Sequence, residues 1–127
     1  MSILLDTQIA LWWQAGASRL SRDARAALES ERGDLWVSRA SLWEVAIKVS
    51  AGKLPIDVSV FAAQVEEFGF RWLDIRNPHL LEVAGMPLEG HRDPFDRLLV
   101  AQARVESLTL VTADRKLGRY GDFVLVV

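Results

Sequence analysis

An α/β protein with a mainly parallel central sheet, sandwiched between helices in three layers (α/β/α), is the architecture this sequence predicts, on three observations. Short apolar runs alternate along the chain with longer segments of helical periodicity. The helical segments are long enough to serve as crossovers, which makes successive strands parallel. Runs such as Ile3–Leu5 and Thr109–Val111 are continuously apolar, as strands covered on both faces are.

The elements follow in order. The apolar run ending at Leu5 stops at Asp6-Thr7, and Thr7–Ala15 reads as a helix carrying Ile9, Leu11, Trp12 and Trp13. Ser21 is an N-cap for a second helix with Ala24, Ala27 and Leu28 along one face. Leu35–Ser38 is the next strand, and Ser38 or Ser41 caps the helix that follows, about Arg39–Ala51. That helix ends where Gly52 suits the left-handed position and Pro55 forbids continuation. Asp57–Phe68 is amphipathic, with Val58, Phe61, Ala62, Val65 and Phe68 at helical spacing. Phe70–Ile75 reads as a strand and Pro78–Ala84 as a short helix with proline in its first turn. Asp93-Pro94 opens a strong helix to about Glu106. A strand at Thr109–Val111, a helical turn at Asp114–Leu117 and a strand at Phe123–Val127 complete the chain.

The 127 residues fit a single domain, 1–127, large enough to bury a core without staples. At 50% hydrophobic and 25% charged, the composition is that of a soluble globular protein. The longest apolar runs fall far short of the ~18 residues of a membrane span, and Met1–Leu5 lacks the basic start of a signal peptide. The chain has no cysteine, which removes thiolate metal sites and suits a cytoplasmic location. A net charge of −2 does not advertise a duplex binder, yet it is what a concentrated acidic site would produce.

Four carboxylates stand out by position. Asp6 and Asp114 follow strands at their C-terminal ends, Glu44 lies in the helix after the second strand, and Asp96 lies in the first turn of the Asp93–Glu106 helix. In open parallel sheets ligands gather outside the C-terminal strand ends. Clustered carboxylates repel unless a cation neutralises them, and an all-oxygen set suits Mg²⁺ or Mn²⁺. Thr112 can add a hydroxyl beside them. Each acid also has an ordinary explanation. Asp6 and Asp114 can be helix caps, Glu44 and Lys48 a surface i,i+4 pair, and Asp96 a first-turn acid in the field of the helix dipole; Asp93 fits an N-cap before Pro94. With 17 Asp and Glu in the chain, spacing alone does not separate these readings.

His79 and His91 lack metal-ligand spacing and take surface or hydrogen-bonded roles by default. No phosphate-binding glycine loop or nucleophile elbow is present, and Ser38 and Ser41 have no visible His partner. Trp12, Trp36, Trp43 and Trp72 are core by default, although adjacent Trp12 and Trp13 cannot share one helix face. Arg19, Arg22 and Arg25 form a solvated face.

Four motifs, in order, resemble the PIN-domain family and within it the VapC-like toxins of VapBC toxin–antitoxin pairs. Leu4-Leu5-Asp6-Thr7 is similar to the family's opening strand and acid. Ser38-x-x-Ser41-x-Trp43-Glu44-Val45-Ala46-Ile47-Lys48, with Gly52-Lys53-Leu54-Pro55 after it, is similar to its second acidic segment. His91-Arg92-Asp93-Pro94-Phe95-Asp96-Arg97-x-Leu99-x-Ala101-Gln102-Ala103 is the most specific match, and Thr112-Ala113-Asp114 completes the set. The resemblance implies that Asp6, Glu44, Asp96 and Asp114 are the catalytic, metal-binding acids, with Asp93, Thr7 and Thr112 in support. It further implies a PIN-like sandwich, an Mg²⁺- or Mn²⁺-dependent endoribonuclease that hydrolyses RNA with a metal-activated water, frequent homodimerisation and inhibition by a cognate VapB-like antitoxin. Arg92, Arg97, Arg115 and Lys116 are candidates for phosphate contact. Two rival readings are a phosphoacceptor receiver domain, which lacks its second acid after Asp6 here, and a metal-dependent phosphatase or DNA nuclease with a similar site.

Overall fold

A computed structural model describes residues 1–31, 34–88 and 90–127. The strands β1 (Ile3–Leu5), β2 (Leu35–Ser38), β3 (Arg71–Leu73), β4 (Thr109–Thr112) and β5 (Val124–Val126) form one sheet in the order β3-β2-β1-β4-β5. Every pairing is parallel. The chain starts in the middle of the sheet, builds outward through β2 to β3, then returns to the other side of β1 with β4. The order therefore reverses at β1, and the crevice where such sheets bind ligands opens at its C-terminal end, beside β4.

The helices are α1 (Thr7–Ala15), α2 (Arg22–Ser30), α3 (Arg39–Ser50), α4 (Val58–Glu67), α5 (Asn77–Ala84) and α6 (Pro94–Glu106), with a 3-10 helix at Arg115–Tyr120. Strand residues alternate between two cores, as the period of two demands. Ile3, Leu5, Leu35, Val37 and Val111 meet Ile9 and Trp13 of α1, Leu28 of α2, Val45 of α3 and Phe61 and Val65 of α4. Leu4, Leu73 and Leu110 point the other way, to Leu98, Leu99 and Ala101 of α6 and Leu117 of the 3-10 helix. Two cores on opposite faces make the three-layer α/β/α sandwich that the alternating pattern predicts.

Helix starts follow the capping residues in the sequence. Ser21 accepts from Ala24 N–H at 3.1 Å. Ser38 accepts from Ala40 N–H at 2.9 Å and donates to buried Gln102 at 2.6 Å, which ties α3 to α6. Gly52 follows α3 at φ 72°, the left-handed conformation expected of it. The strand expected at Phe70–Ile75 is shorter. Gly69 turns left-handed at φ 82°, and Phe70 N–H closes on Val65 O of α4 at 2.9 Å instead of joining the ladder. At its far end, Asp74 O accepts from Gln102.

Two surface expectations change. Arg25 is not part of a solvated face: it stacks over Trp13 at 4.9 Å and donates to the carbonyls of Trp12 and Trp13 at the end of α1. Trp13 is buried against Phe70, and Trp12, Trp36 and Trp72 pack on the cores, but Trp43 does not; it is 57% exposed. Among the described residues no helix is long and apolar enough to cross a membrane.

Candidate metal centre

Asp6 leaves β1 in extended conformation and caps α1, its Oδ1 accepting from Ile9 N–H at 2.8 Å. Its backbone N–H donates to Val111 O, which fixes it against β4. The other oxygen, Oδ2, accepts a short hydrogen bond from the Thr112 hydroxyl. Thr112 Oγ1 in turn accepts from Asp114 N–H at 3.0 Å, and Asp114 caps the 3-10 helix through Lys116 N–H. One hydroxyl thus spans the two strand-end acids.

Glu44 reaches the same place from α3. Its Oε1 accepts from Thr7 at 2.6 Å and its Oε2 from Lys48 Nζ at 2.8 Å; Thr7 Oγ1 also lies 2.9 Å from Ser41 Oγ. Asp93 caps α6, accepting from Phe95 and Asp96 N–H at 2.9 and 3.1 Å. That cap, with Pro94 in the first turn, aims Asp96 inward. The caps weighed from the sequence are real and coexist with convergence, whereas the Glu44–Lys48 pair is not a surface pair, because Glu44 is buried. Asp6, Glu44, Asp93, Asp96 and Asp114 line one cleft of about 340 Å³, with Thr7 and Lys48 beside them.

The electrostatics fit that convergence. Burial pushes the Asp6 carboxyl up to about 6, opposed by the Thr112 and Ile9 hydrogen bonds and reinforced by the charges of Asp96 and Glu44. Asp96 is also raised, chiefly by burial, with the hydrogen bond from His91 pulling down and the charge of Asp93 pushing up. Lys48 is raised, first by its hydrogen bond to Glu44. Five acids and one lysine in a partly dry cleft carry excess negative charge that protons on the raised carboxyls or a bound cation offset. Carboxylate oxygens are the donors a hard divalent ion takes, so the residues fit Mg²⁺ or Mn²⁺.

His91 is the residue that sequence reasoning missed. Its Nε2 lies 2.9 Å from Asp96 Oδ2, and donor atoms of His91, Asp96 and Asp114 all lie within 4.8 Å of one another. The available signal was local: five residues before Asp96, across the Asp93-Pro94 turn, places it beside the first turn of α6. Judging it by its spacing to His79 hid this, because His79 is buried elsewhere against Glu106. Arg97 corrects in the other direction. It is buried and donates to the carbonyls of Pro87 and Met86 at 2.7 and 3.0 Å, so it holds a loop and does not reach the rim. Arg92, Arg115 and Lys116 are exposed.

The PIN domain model matches residues 3–122. The chain belongs to the PIN domain family. It is 31% identical over 118 residues to Ribonuclease VapC22 of Mycobacterium tuberculosis, covering 91% of this chain and 89% of that protein. Among solved structures, a toxin–antitoxin complex from Klebsiella pneumoniae superposes with a TM-score of 0.72 at 20% identity, over 98% of this chain and 97% of that one. VapBC2 from Rickettsia felis, bound to a DNA fragment from its promoter, superposes at 0.68 and 18% identity, over 100% and 98% of the two chains. At these identities the structural matches speak for the fold, the same PIN sandwich.

Proposed function

We propose that this PIN domain is an Mg²⁺- or Mn²⁺-dependent endoribonuclease, the toxin of a VapBC-type pair, acting in the cytoplasm. The observation that carries the reading is the single cleft at the C-terminal end of β1 and β4 lined by Asp6, Glu44, Asp93, Asp96 and Asp114. A ribonuclease relative at 31% identity supports RNA as the substrate.

Asp6, Glu44, Asp96 and Asp114 are the residues that would hold the cation, with Asp93 at the rim. When bound, the ion neutralises these acids and acts as a Lewis acid toward the phosphodiester and water. Thr112 and Thr7 keep Asp6, Asp114 and Glu44 in register, so the donors are arranged before substrate arrives. Lys48 holds one Glu44 oxygen and keeps a positive charge at the cleft mouth. The 2′-hydroxyl is not required as nucleophile, which predicts 5′-phosphate and 3′-hydroxyl ends. Labelled RNA, DNA and a phosphomonoester, each with Mn²⁺ and with excess EDTA, test the reading. Cleavage of RNA alone, abolished by EDTA and by Asp96→Asn, supports it; undiminished cleavage in EDTA overturns it.

The antitoxin and a homodimer belong to the same proposal. An apolar groove of about 220 Å³ lies between α1 and α4, lined by Leu11, Ala15, Ile56, Val60 and Phe61. It accepts an amphipathic helix of the kind an antitoxin supplies. Leu11 borders both this groove and the acidic cleft. A helix seated there can extend an arginine toward the carboxylates, which favour its planar fork. Val60→Lys should abolish antitoxin co-purification while leaving RNA cleavage intact; retained co-purification would remove the groove from the interface. Light scattering at micromolar concentration should return the mass of two chains.

A further inference from the structure

A second polar cavity lies apart from the acidic cleft. It encloses about 260 Å³ between α6, the 3-10 helix and the turn after α5, and is lined by Met86, Pro87, Arg104, Arg119 and Tyr120. Among the described residues it shares no wall with the cleft, and no carboxylate lines it. Arg104 stands eight residues along α6 from Asp96, so roughly 12 Å of helix axis separates them. The two guanidiniums differ in what they already hold. Arg104 donates to Glu82 at 3.0 Å and to Tyr120 O at 3.2 Å. Arg119 is exposed and makes no ion pair among the described residues. Its guanidinium packs on Gly90, where a Cβ would overlap it, and the glycine sits at φ 82°. The Tyr120 hydroxyl is buried and has no hydrogen-bond partner, a state folded proteins rarely accept.

An unpaired hydroxyl and an unpaired guanidinium on one cavity call for a group that accepts from both. It must be anionic, and it must offer oxygens in more than one direction. A carboxylate matched to the planar guanidinium fork turns both its oxygens to it. A phosphate has further oxygens left for a hydroxyl. We propose that this cavity is a second site, for a phosphate group, in which Arg119 supplies the charge and Tyr120 the neutral donor. A backbone phosphate of RNA and a free phosphate ion share that chemistry. RNA has a route to the site. Asp96 lies in the first turn of α6 and Asp114 caps the 3-10 helix, and both elements lead from these cleft acids to the cavity. Lys116, three residues before Arg119, is exposed on the same side of the 3-10 helix. Only the RNA source rests on the ribonuclease reading above. The rival occupant is water.

Tyr120 is the chain's one tyrosine, so labelling tyrosine rings with ¹³C gives a single NMR probe inside the cavity. The full chain is titrated in EDTA, where the acidic cleft repels anions, with inorganic phosphate, acetate or an unpaired RNA oligonucleotide at constant ionic strength. Inorganic phosphate should shift the Tyr120 signal saturably, and acetate should not. Arg119→Gln should weaken phosphate binding by roughly 10- to 150-fold, the range for hydrogen bonds to a charged group. Tyr120→Phe, followed by calorimetry, should weaken it by roughly 2- to 12-fold. Without phosphate that variant should melt no lower than wild type, because it deletes a hydroxyl that has no partner. RNA acting at lower concentration than inorganic phosphate assigns the site to a polynucleotide; a response to inorganic phosphate alone assigns it to the free ion, and either supports the proposal. No saturable shift, or an equal one in Arg119→Gln, overturns it and leaves the cavity to water. Acetate matching phosphate overturns it in favour of a carboxylate partner. A protein that cleaves no RNA sinks the ribonuclease reading alone, because the phosphate titration still decides this site.

Discussion

The Thr112 hydroxyl donates to Asp6 and accepts from Asp114 N–H, so two acids from neighbouring strands are held by one side chain. Asp6 is held there at a cost that pH exposes. Its carboxyl titrates near 3.8 when unfolded and about 6 when folded. The folded state therefore binds the proton more tightly, and stability from this group is fully present below pH 3.8 and lost as pH rises to about 6. In EDTA the loss should amount to roughly 3 kcal/mol, and Asp6→Asn should flatten that stretch of the melting profile. An unchanged profile in the variant would show that Asp6 is not the group responsible. His91 makes a second residue-scale prediction. As a positioning residue on Asp96, its replacement by Gln should weaken Mn²⁺ binding roughly 10- to 100-fold with the fold intact by circular dichroism. Equal calorimetric affinity would assign it a purely structural role. The carboxylates were legible because acids at strand ends and a first helical turn have few places to go. His91 was not, because its partner is set by how the 91–93 loop folds back.

At the scale of elements, α6 shows what periodicity reads well and badly. Asp93, Pro94 and the apolar stripe mark its start and length, and Asp93→Ala should cost about 1 kcal/mol through the lost cap. Arg97 lies on the same helix, and its charge suggested a surface role, yet it is buried under the Met86–Pro87 carbonyls. Arg97→Met should leave those carbonyls unpaired and destabilise by roughly 1.5–3 kcal/mol, while RNA affinity, measured below the melting range, stays at the wild-type value. A wild-type melting temperature with weakened RNA binding would restore it to the rim. Trp43 is the converse: a residue type that defaults to the core was displaced outward because Ala40, Ser41, Glu44 and Val45 take the inward arc of α3. Composition gives no hint of that choice; only the helix's rotation against α1 and α6 does.

For the whole molecule, the alternation of short apolar runs with crossover-length helices was enough to read the parallel sandwich, because parallel strands leave few ways to return. Strand limits were less legible, since Gly69 and Gln102 divert the ends of β3 through contacts made far away in sequence. A cation shared by β1, α3, α6 and the β4 end would tie all layers together. Saturating Mn²⁺ at a hundred times its dissociation constant should therefore stabilise the wild type by about 2.7 kcal/mol, and Asp96→Asn should lose most of that increment. A full response in the variant would mean the ion binds elsewhere.

The sheet order also governs when such an enzyme comes into being. Asp6 and Thr112 are 106 positions apart, and β1 has β4 as one of its two neighbours. A growing polypeptide that has delivered Asp6 and Glu44 to the outside of the ribosome still lacks the strand that closes the cleft. Long-range parallel pairing forms late and slowly, and here the two partners are separated by most of the sheet's sequence. Until β4 pairs with β1, Asp6 lacks its Thr112 partner and the cleft lacks Asp114, so the site is among the last features of the fold to assemble.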